Sequence, residues 1–220
     1  MCSIFGIMYY KSCSKNILKD VMTKLSTKTI HRGPDENEIQ YFENAAIGMN
    51  RLSIIGPKEK NVMVQKDKNF YSVFNGEITN YKSLEIEINK NIKCDSEVIL
   101  PLFKKYNRNF VKKLGGMFAI SIYDELDKKL YLYRDPLGVK PLYYYSNNEF
   151  FIFASEIKAI YSVINKKPNV NFDAIDNILR YGCNPGRDTA ICEIKKVLPR
   201  RNDYNLQWKN RERKVLEFKK

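Results

Sequence analysis

The residue with the most chemistry to offer is Cys2. Its small side chain permits removal of Met1, after which the Cys2 thiol and the α-amino group belong to one residue. An α-amino group titrates near ~7.7–8.0 and a free thiol near ~8.5. The amine can therefore take the thiol proton, through a water, with no histidine. That would be a nucleophile activated by its own backbone. The single histidine, His31, excludes multi-His metal sites and leaves any His-dependent catalysis one candidate. The five cysteines (Cys2, Cys13, Cys94, Cys183 and Cys192) are odd in number and form no CxxC pair. That argues against a disulfide framework or zinc finger, and no metal site is expected. Apart from Cys2 they read as small buried or incidental residues.

Other polar residues have plain structural readings on their own. Asn75-Gly76 is a common hairpin-turn signal. Arg51 reads as a surface arginine flanking a strand. Asp95, Ser96 and Glu97 precede an apolar stripe and read as a helix cap with first-turn acids. Arg134-Asp135-Pro136-Leu137-Gly138 reads as a tight turn, with Pro second and Gly last.

The elements that must position these residues follow from periodicity. Apolar, β-prone 4–9 predicts a strand, and Ile17, Val21, Met22 and Leu25 predict a helix over 14–28. His31–Asp35 then breaks regular structure. Strands are expected at 38–43, 45–52 and 70–75, and helices at 80–90 and 96–106. Strands at 117–123 and 129–134, then 142–145 and 150–154, flank polar turns and predict an antiparallel meander. A helix is expected at 156–164 and a short one at 173–181, with weak charged strands across 190–220. Strands, helices and strands again, without strict βαβ alternation, predict an α+β layered fold.

A chain of 220 residues, 44% hydrophobic and 29% charged, is an ordinary globular composition able to bury about 70% of its unfolded surface. No stretch approaches the roughly 20 apolar residues of a membrane helix. Ile4–Tyr10 is too short for a signal peptide and has no basic residue before it. A cytoplasmic protein without membrane attachment is expected. The formal charge is +13, but residues 195–220 hold ten basic and three acidic residues, so +7 of it sits there. With Lys, Asn, Ile and Tyr all abundant, lysine is the default surface residue, and nucleic-acid binding is not expected.

Taken in order, the short motifs are Cys2-Ser3-Ile4-Phe5-Gly6-Ile7, His31-Arg32-Gly33-Pro34-Asp35, Arg51-Leu52-Ser53-Ile54 and Phe74-Asn75-Gly76-Glu77-Ile78. They continue with Cys94-Asp95-Ser96-Glu97, Leu114-Gly115-Gly116-Met117-Phe118-Ala119, Arg134–Gly138 and Ala154-Ser155-Glu156. This ordered set resembles the class II, N-terminal-nucleophile glutamine amidotransferases, and among them the glutaminase domain of glutamine-hydrolysing asparagine synthetase. The resemblance implies a four-layer αββα sandwich of antiparallel sheets flanked by helices. It also implies that Cys2 attacks the side-chain amide of L-glutamine, releasing ammonia and leaving a glutamyl thioester that water cleaves to glutamate. Asn75 and the Gly76 N–H would hold the oxyanion. Arg51 would take the α-carboxylate, with Leu52, Ser53, Ile54 and Ile55 lining the pocket. Asp95, with Glu77 nearby, would take the ammonium. His31 to Asp35 would shape the site, the terminal amine doing the proton work.

The resemblance covers about 2–165 strongly and 166–220 weakly. The expected organisation is therefore a glutaminase core over 1–165 and an extension over 166–220 that resembles the family's connection to a synthetase domain. That connection reads Leu-Pro-Pro-Gly in the family and Leu198-Pro199-Arg200-Arg201 here. The family's pyrophosphate loop, Ser-Gly-Gly-x-Asp-Ser, is not in this sequence. No cofactor is expected in this chain, ATP and Mg belonging to a separate synthetase domain or subunit that would accept the ammonia. The acceptor molecule and the oligomeric state, a homodimer included, stay open. The alternative is a truncated remnant acting as a binding module through its basic tail.

Overall fold

The structure, a computed structural model, describes residues 1–53, 63–164 and 167–199, and the backbone of 204–207 and 215–217. The elements are β1 (Ser3–Tyr9), α1 (Lys15–Thr29), β2 (Glu36–Tyr41), β3 (Ala45–Arg51), β4 (Gln65–Asp67), β5 (Phe70–Ile78), α2 (Tyr81–Ile88) and α3 (Ile99–Tyr106). They continue with β6 (Gly116–Asp124), β7 (Lys129–Arg134), β8 (Tyr143–Ser146), β9 (Phe150–Ala154), α4 (Ile157–Tyr161), α5 (Phe172–Tyr181), β10 (Lys195–Lys196), β11 (Tyr204–Gln207) and β12 (Val215–Glu217).

Among the described residues the strands form two antiparallel sheets. One runs β10-β8-β9-β1-β3-β2, the other β12-β11-β7-β6-β5-β4. Period-2 alternation gives every central strand two apolar faces. Ile4 and Met8 of β1, Ile47 and Met49 of β3, Val73 of β5, Ala119 of β6 and Leu132 of β7 meet in one core between the sheets. Phe5, Ile7, Ala46 and Ile152 point the other way, against Leu18, Val21, Met22 and Leu25 of α1 and Ala159 and Ile160 of α4. Phe74, Phe118, Ile120 and Tyr131 do the same against Leu84 of α2 and Ile99, Leu102 and Phe103 of α3. The layers therefore run helix, sheet, sheet, helix, as expected. Full burial of such side chains contributes roughly 1.5–3 kcal/mol each.

Local chemistry explains most boundaries. Ser14 caps α1 by accepting from the Ile17 N–H. The β6–β7 turn is held by the Asp124 carboxylate, which accepts from the N–H groups of Leu126 and Asp127. Asn147 does the same for Glu149 and Phe150 between β8 and β9.

Three expectations need correction. The helix expected over 96–106 divides into a 3-10 turn, Asp95–Val98, and α3. Pro101 has no N–H to give the Glu97 carbonyl, so the α-helical ladder cannot extend back through that turn. The helix expected over 156–164 is only Ile157–Tyr161. Asn75-Gly76 is not a hairpin turn. Both lie inside β5, opposite Ala119 and Phe118. The pairing requires Gly at 76, where a Cβ would stand 2.1 Å from the Met117 carbonyl oxygen.

Candidate active site

β1 and β3 pair with Ser3 opposite Asn50 and Ile4 opposite Met49. Cys2 and Arg51 are the next residues outward, so they stand at the same end of this ladder. Ile4 and Met49 face the inter-sheet core, and alternation gives Cys2 and Arg51 that same face. Cys2 is half-buried and packs against this core, with its Sγ 3.9 Å from the Leu52 carbonyl oxygen.

The Cys2 backbone is also held. Arg32 donates through Nε to the Cys2 carbonyl at 3.2 Å and through Nη1 to Glu156 Oε1 at 3.2 Å. His31 Nε2 lies 2.9 Å from the same carboxylate, and Lys158 Nζ 3.2 Å from its other oxygen. Burial pushes the Glu156 carboxyl up, but hydrogen bonds from His31, Lys158 and Arg32 outweigh it, so the net shift is downward. Next to it, Ser155 locks the end of β9 to β1, its hydroxyl accepting from the Ile4 N–H at 3.0 Å.

After a 3-10 turn over Ile30–Arg32, Gly33 passes close against the end of β3. A Cβ at Gly33 would be 2.4 Å from the Asn50 carbonyl oxygen, so only glycine allows the approach. Asp35 then clamps the chain beyond β3. Its N–H donates to the Arg51 carbonyl at 3.1 Å, and its carboxylate accepts from the Ser53 N–H at 2.7 Å. Arg51 donates through Nη1 to Glu36 Oε2 at 2.8 Å, and its side chain is only 14% exposed. Ile54 and Ile55 lie outside the described residues.

Across the sandwich, Asn75 sits on β5 with the parity of Tyr71 and Val73, toward the inter-sheet core. It is 2% exposed, and its Nδ2 has no hydrogen-bond partner among the described residues. Buried donors are nearly always paired, and among the described residues this is the one side-chain amide in that state, beside the hydroxyls of Ser3, Ser72 and Ser121. Cys2 packs against the cluster that contains Ala119, the cross-strand partner of Asn75. Three residues further along β5, the Ile78 N–H donates to Asp95 Oδ2 at 2.8 Å. Burial raises the Asp95 carboxyl, against the lowering effect of its backbone hydrogen bonds, and Glu77 adds to the rise. Glu77 itself is exposed. Asp95 is thus a tie between the 3-10 turn and the end of β5, rather than a helix cap.

The fold therefore gathers Cys2, Arg51, Leu52 and Ser53 at one end of a ladder, with Asn75 and Gly76 on the opposed sheet and Asp95 at that strand's end. Arg134, on β7 opposite Ala119, donates to the carbonyls of Lys140, Gly138 and Val197, while Asp135 ties the turn after it. Two links escaped sequence reasoning. One is Glu156 through Arg32 to Cys2, whose only trace is that both side chains sit in the quoted motifs. The other is Glu36 on Arg51, which has no local signal and depends on the β2–β3 register. Among the described residues no cluster of three or more His, Cys, Asp or Glu could hold a metal, and no helix is long and apolar enough to cross a membrane.

The chain is 32% identical over 206 residues to glutamine-hydrolyzing asparagine synthetase 1 of Bacillus subtilis, covering 90% of this chain and 32% of that protein. It is 36% identical over 171 residues to glutamine-hydrolyzing asparagine synthetase B of Escherichia coli, covering 74% of this chain and 30% of that protein. It thus spans about a third of the length of these curated relatives. A solved structure, glutamine phosphoribosylpyrophosphate amidotransferase from B. subtilis, superposes with a TM-score of 0.62 at 18% identity, over 96% of this chain and 50% of that one. That likeness is one of fold. Residues 1–217 match the family described as the glutamine amidotransferase domain, and with asparagine synthetases among its relatives the chain belongs to that family.

Proposed function

We propose that this chain hydrolyses L-glutamine, with Cys2 as the nucleophile. The observation that carries the reading is the Nδ2 of Asn75, buried without a partner among the described residues, on the face that Cys2 packs against. A donor buried without a partner costs about 1–3 kcal/mol. Such a cost makes sense where a negative charge develops during reaction and supplies the missing acceptor.

The chemistry then proceeds as follows. Loss of Met1 frees the α-amine of Cys2, which takes the thiol proton through a water. The thiolate attacks the side-chain amide carbon and forms an S–C bond. The oxyanion is stabilised by Asn75 Nδ2 and the Gly76 N–H. The proton is returned to the leaving nitrogen, the C–N bond breaks, and ammonia departs. Water then attacks the thioester carbon, releasing glutamate and the thiol. Arg51 takes the substrate α-carboxylate, Leu52 and Ser53 line the pocket with Ile54 and Ile55, and Asp95 with Glu77 takes the ammonium. Arg32 and Glu156 keep the Cys2 backbone in place. No metal or cofactor enters these steps.

The ammonia is destined for amide synthesis of the asparagine synthetase type, by an ATP-dependent synthetase domain or subunit. The named activity of the relatives supports this, since both are glutamine-hydrolyzing asparagine synthetases. The test is ammonia release from L-glutamine by the purified chain and by Cys2→Ala. The expected result is release by the first and none by the second. Equal release from both overturns the reading.

A further inference from the structure

Resting on that reading, we propose that Glu36 is a built-in competitor for the substrate carboxylate at Arg51, setting how weakly glutamine binds. Glu36 and Arg51 face each other in the β2–β3 register. Directly opposed residues on one sheet face have their Cβ atoms about 4.5–5.5 Å apart, so the ion pair follows from the pairing and needs no rare side-chain geometry. The contact is 2.8 Å, and Glu36 is the only partner of the Arg51 guanidinium among the described residues. The two ends differ in exposure. The arginine side chain is 14% exposed and the glutamate 41%. A cation already withdrawn from water is therefore neutralised by an acid at the rim, where an incoming carboxylate would arrive.

Two physical consequences follow. The substrate meets a neutral pair instead of a bare cation. Its carboxylate must also either displace Glu36 or sit beside it on the remaining donors of the guanidinium, a few ångströms from a like charge. Both weaken binding of any ligand that carries an α-carboxylate. Neither touches the reacting amide, so the effect belongs to KM and not to kcat. Glu36 is thus a specificity-setting residue that acts through Arg51.

The test compares wild type with Glu36→Gln, which keeps an acceptor for Arg51 and deletes the charge. The KM for L-glutamine is expected to fall about threefold to tenfold at low salt, with kcat unchanged. The KM for L-glutaminamide, which has no α-carboxylate, should stay the same. An unchanged or raised KM for glutamine overturns the proposal, as does an equal fall for both substrates. If Glu36→Gln does not fold, Glu36→Thr keeps strand propensity and removes the charge. Calorimetric titration of L-glutamine into Cys2→Ala, with and without Glu36→Gln, reads the same ratio without turnover. Binding without tightening overturns this proposal alone, whereas no binding to either chain overturns it together with the glutaminase reading.

Discussion

The Arg32 guanidinium bridges the Cys2 carbonyl and the Glu156 carboxylate, at 3.2 Å to each. The backbone of Cys2, the proposed nucleophile, is thereby held from Glu156, two residues past the end of β9, the strand that pairs with β1 on the side away from β3. A lysine has a point charge where arginine has a planar fork, and it cannot serve both acceptors in this geometry. Arg32→Lys should lower kcat for glutamine hydrolysis by about tenfold to a hundredfold, the scale of a displaced reacting group. KM should stay within about twofold, since the substrate carboxylate is not involved. Steady-state kinetics on the variant separate the two.

Asn75 gives a prediction with opposite signs in two measurements. Its Nδ2 has no partner to lose among the described residues, so Asn75→Ala should leave the thermal midpoint unchanged or raise it slightly. Glutamine hydrolysis should fall by about 10²–10³ in kcat, as for loss of one oxyanion donor. A loss of stability matching the loss of activity would make Asn75 a structural residue.

Gly76 should fail differently. A Cβ there stands 2.1 Å from the Met117 carbonyl oxygen and 2.7 Å from the Phe118 Cα. Both are backbone atoms of β6, so neither can rotate away. Gly76→Ala should cost about 3 kcal/mol or more of stability, read as a lowered denaturation midpoint or as insoluble protein. Wild-type stability would show that β5 and β6 are not paired in this register.

Glu156 ties stability to pH. Its carboxyl lies below the ordinary glutamate value because the pull of His31, Lys158 and Arg32 exceeds the effect of burial. A lowered folded-state value favours the folded chain wherever the unfolded carboxyl, near ~4.3, is ionised. The contribution is therefore full above that pH and lost as pH falls through the folded value. Wild type should melt above Glu156→Gln at pH 7, and the gap should close below about 4.3. A gap that is constant with pH would remove the ion cluster from the account.

Much of the fold was legible because its signals are local. The α1 stripe, the Asx turns at Asp124 and Asn147, and the apolar strands 4–9, 117–123 and 150–154 all depend on residues within a few positions of one another. The site was legible only in part. Asn75-Gly76 carries the same two letters as a hairpin turn, and only the long β5–β6 pairing decides against it. Pro101 broke a helix that apolar spacing alone predicts as continuous. Asp95 looked like a cap because it precedes an apolar stripe, yet its carboxylate is committed to Ile78, 17 residues away. The pairs Glu36–Arg51 and Arg32–Glu156 lie 15 and 124 residues apart in sequence. No local pattern encodes such contacts; register and sheet order do. The strands β10 and β11 join the edges of different sheets, at β8 and β7, which their weak charged patterns did not indicate.

The proposed reaction requires Cys2 to be a mature, accessible nucleophile in a pocket shaped for glutamine. The most direct test is the intact mass of the purified chain before and after incubation with 6-diazo-5-oxo-L-norleucine, a reactive glutamine analogue. The expected spectrum shows a chain without Met1 that gains one adduct, located on Cys2 by peptide mapping and missing in Cys2→Ala. Retention of Met1, failure to form an adduct, or an adduct that survives in Cys2→Ala would contradict it.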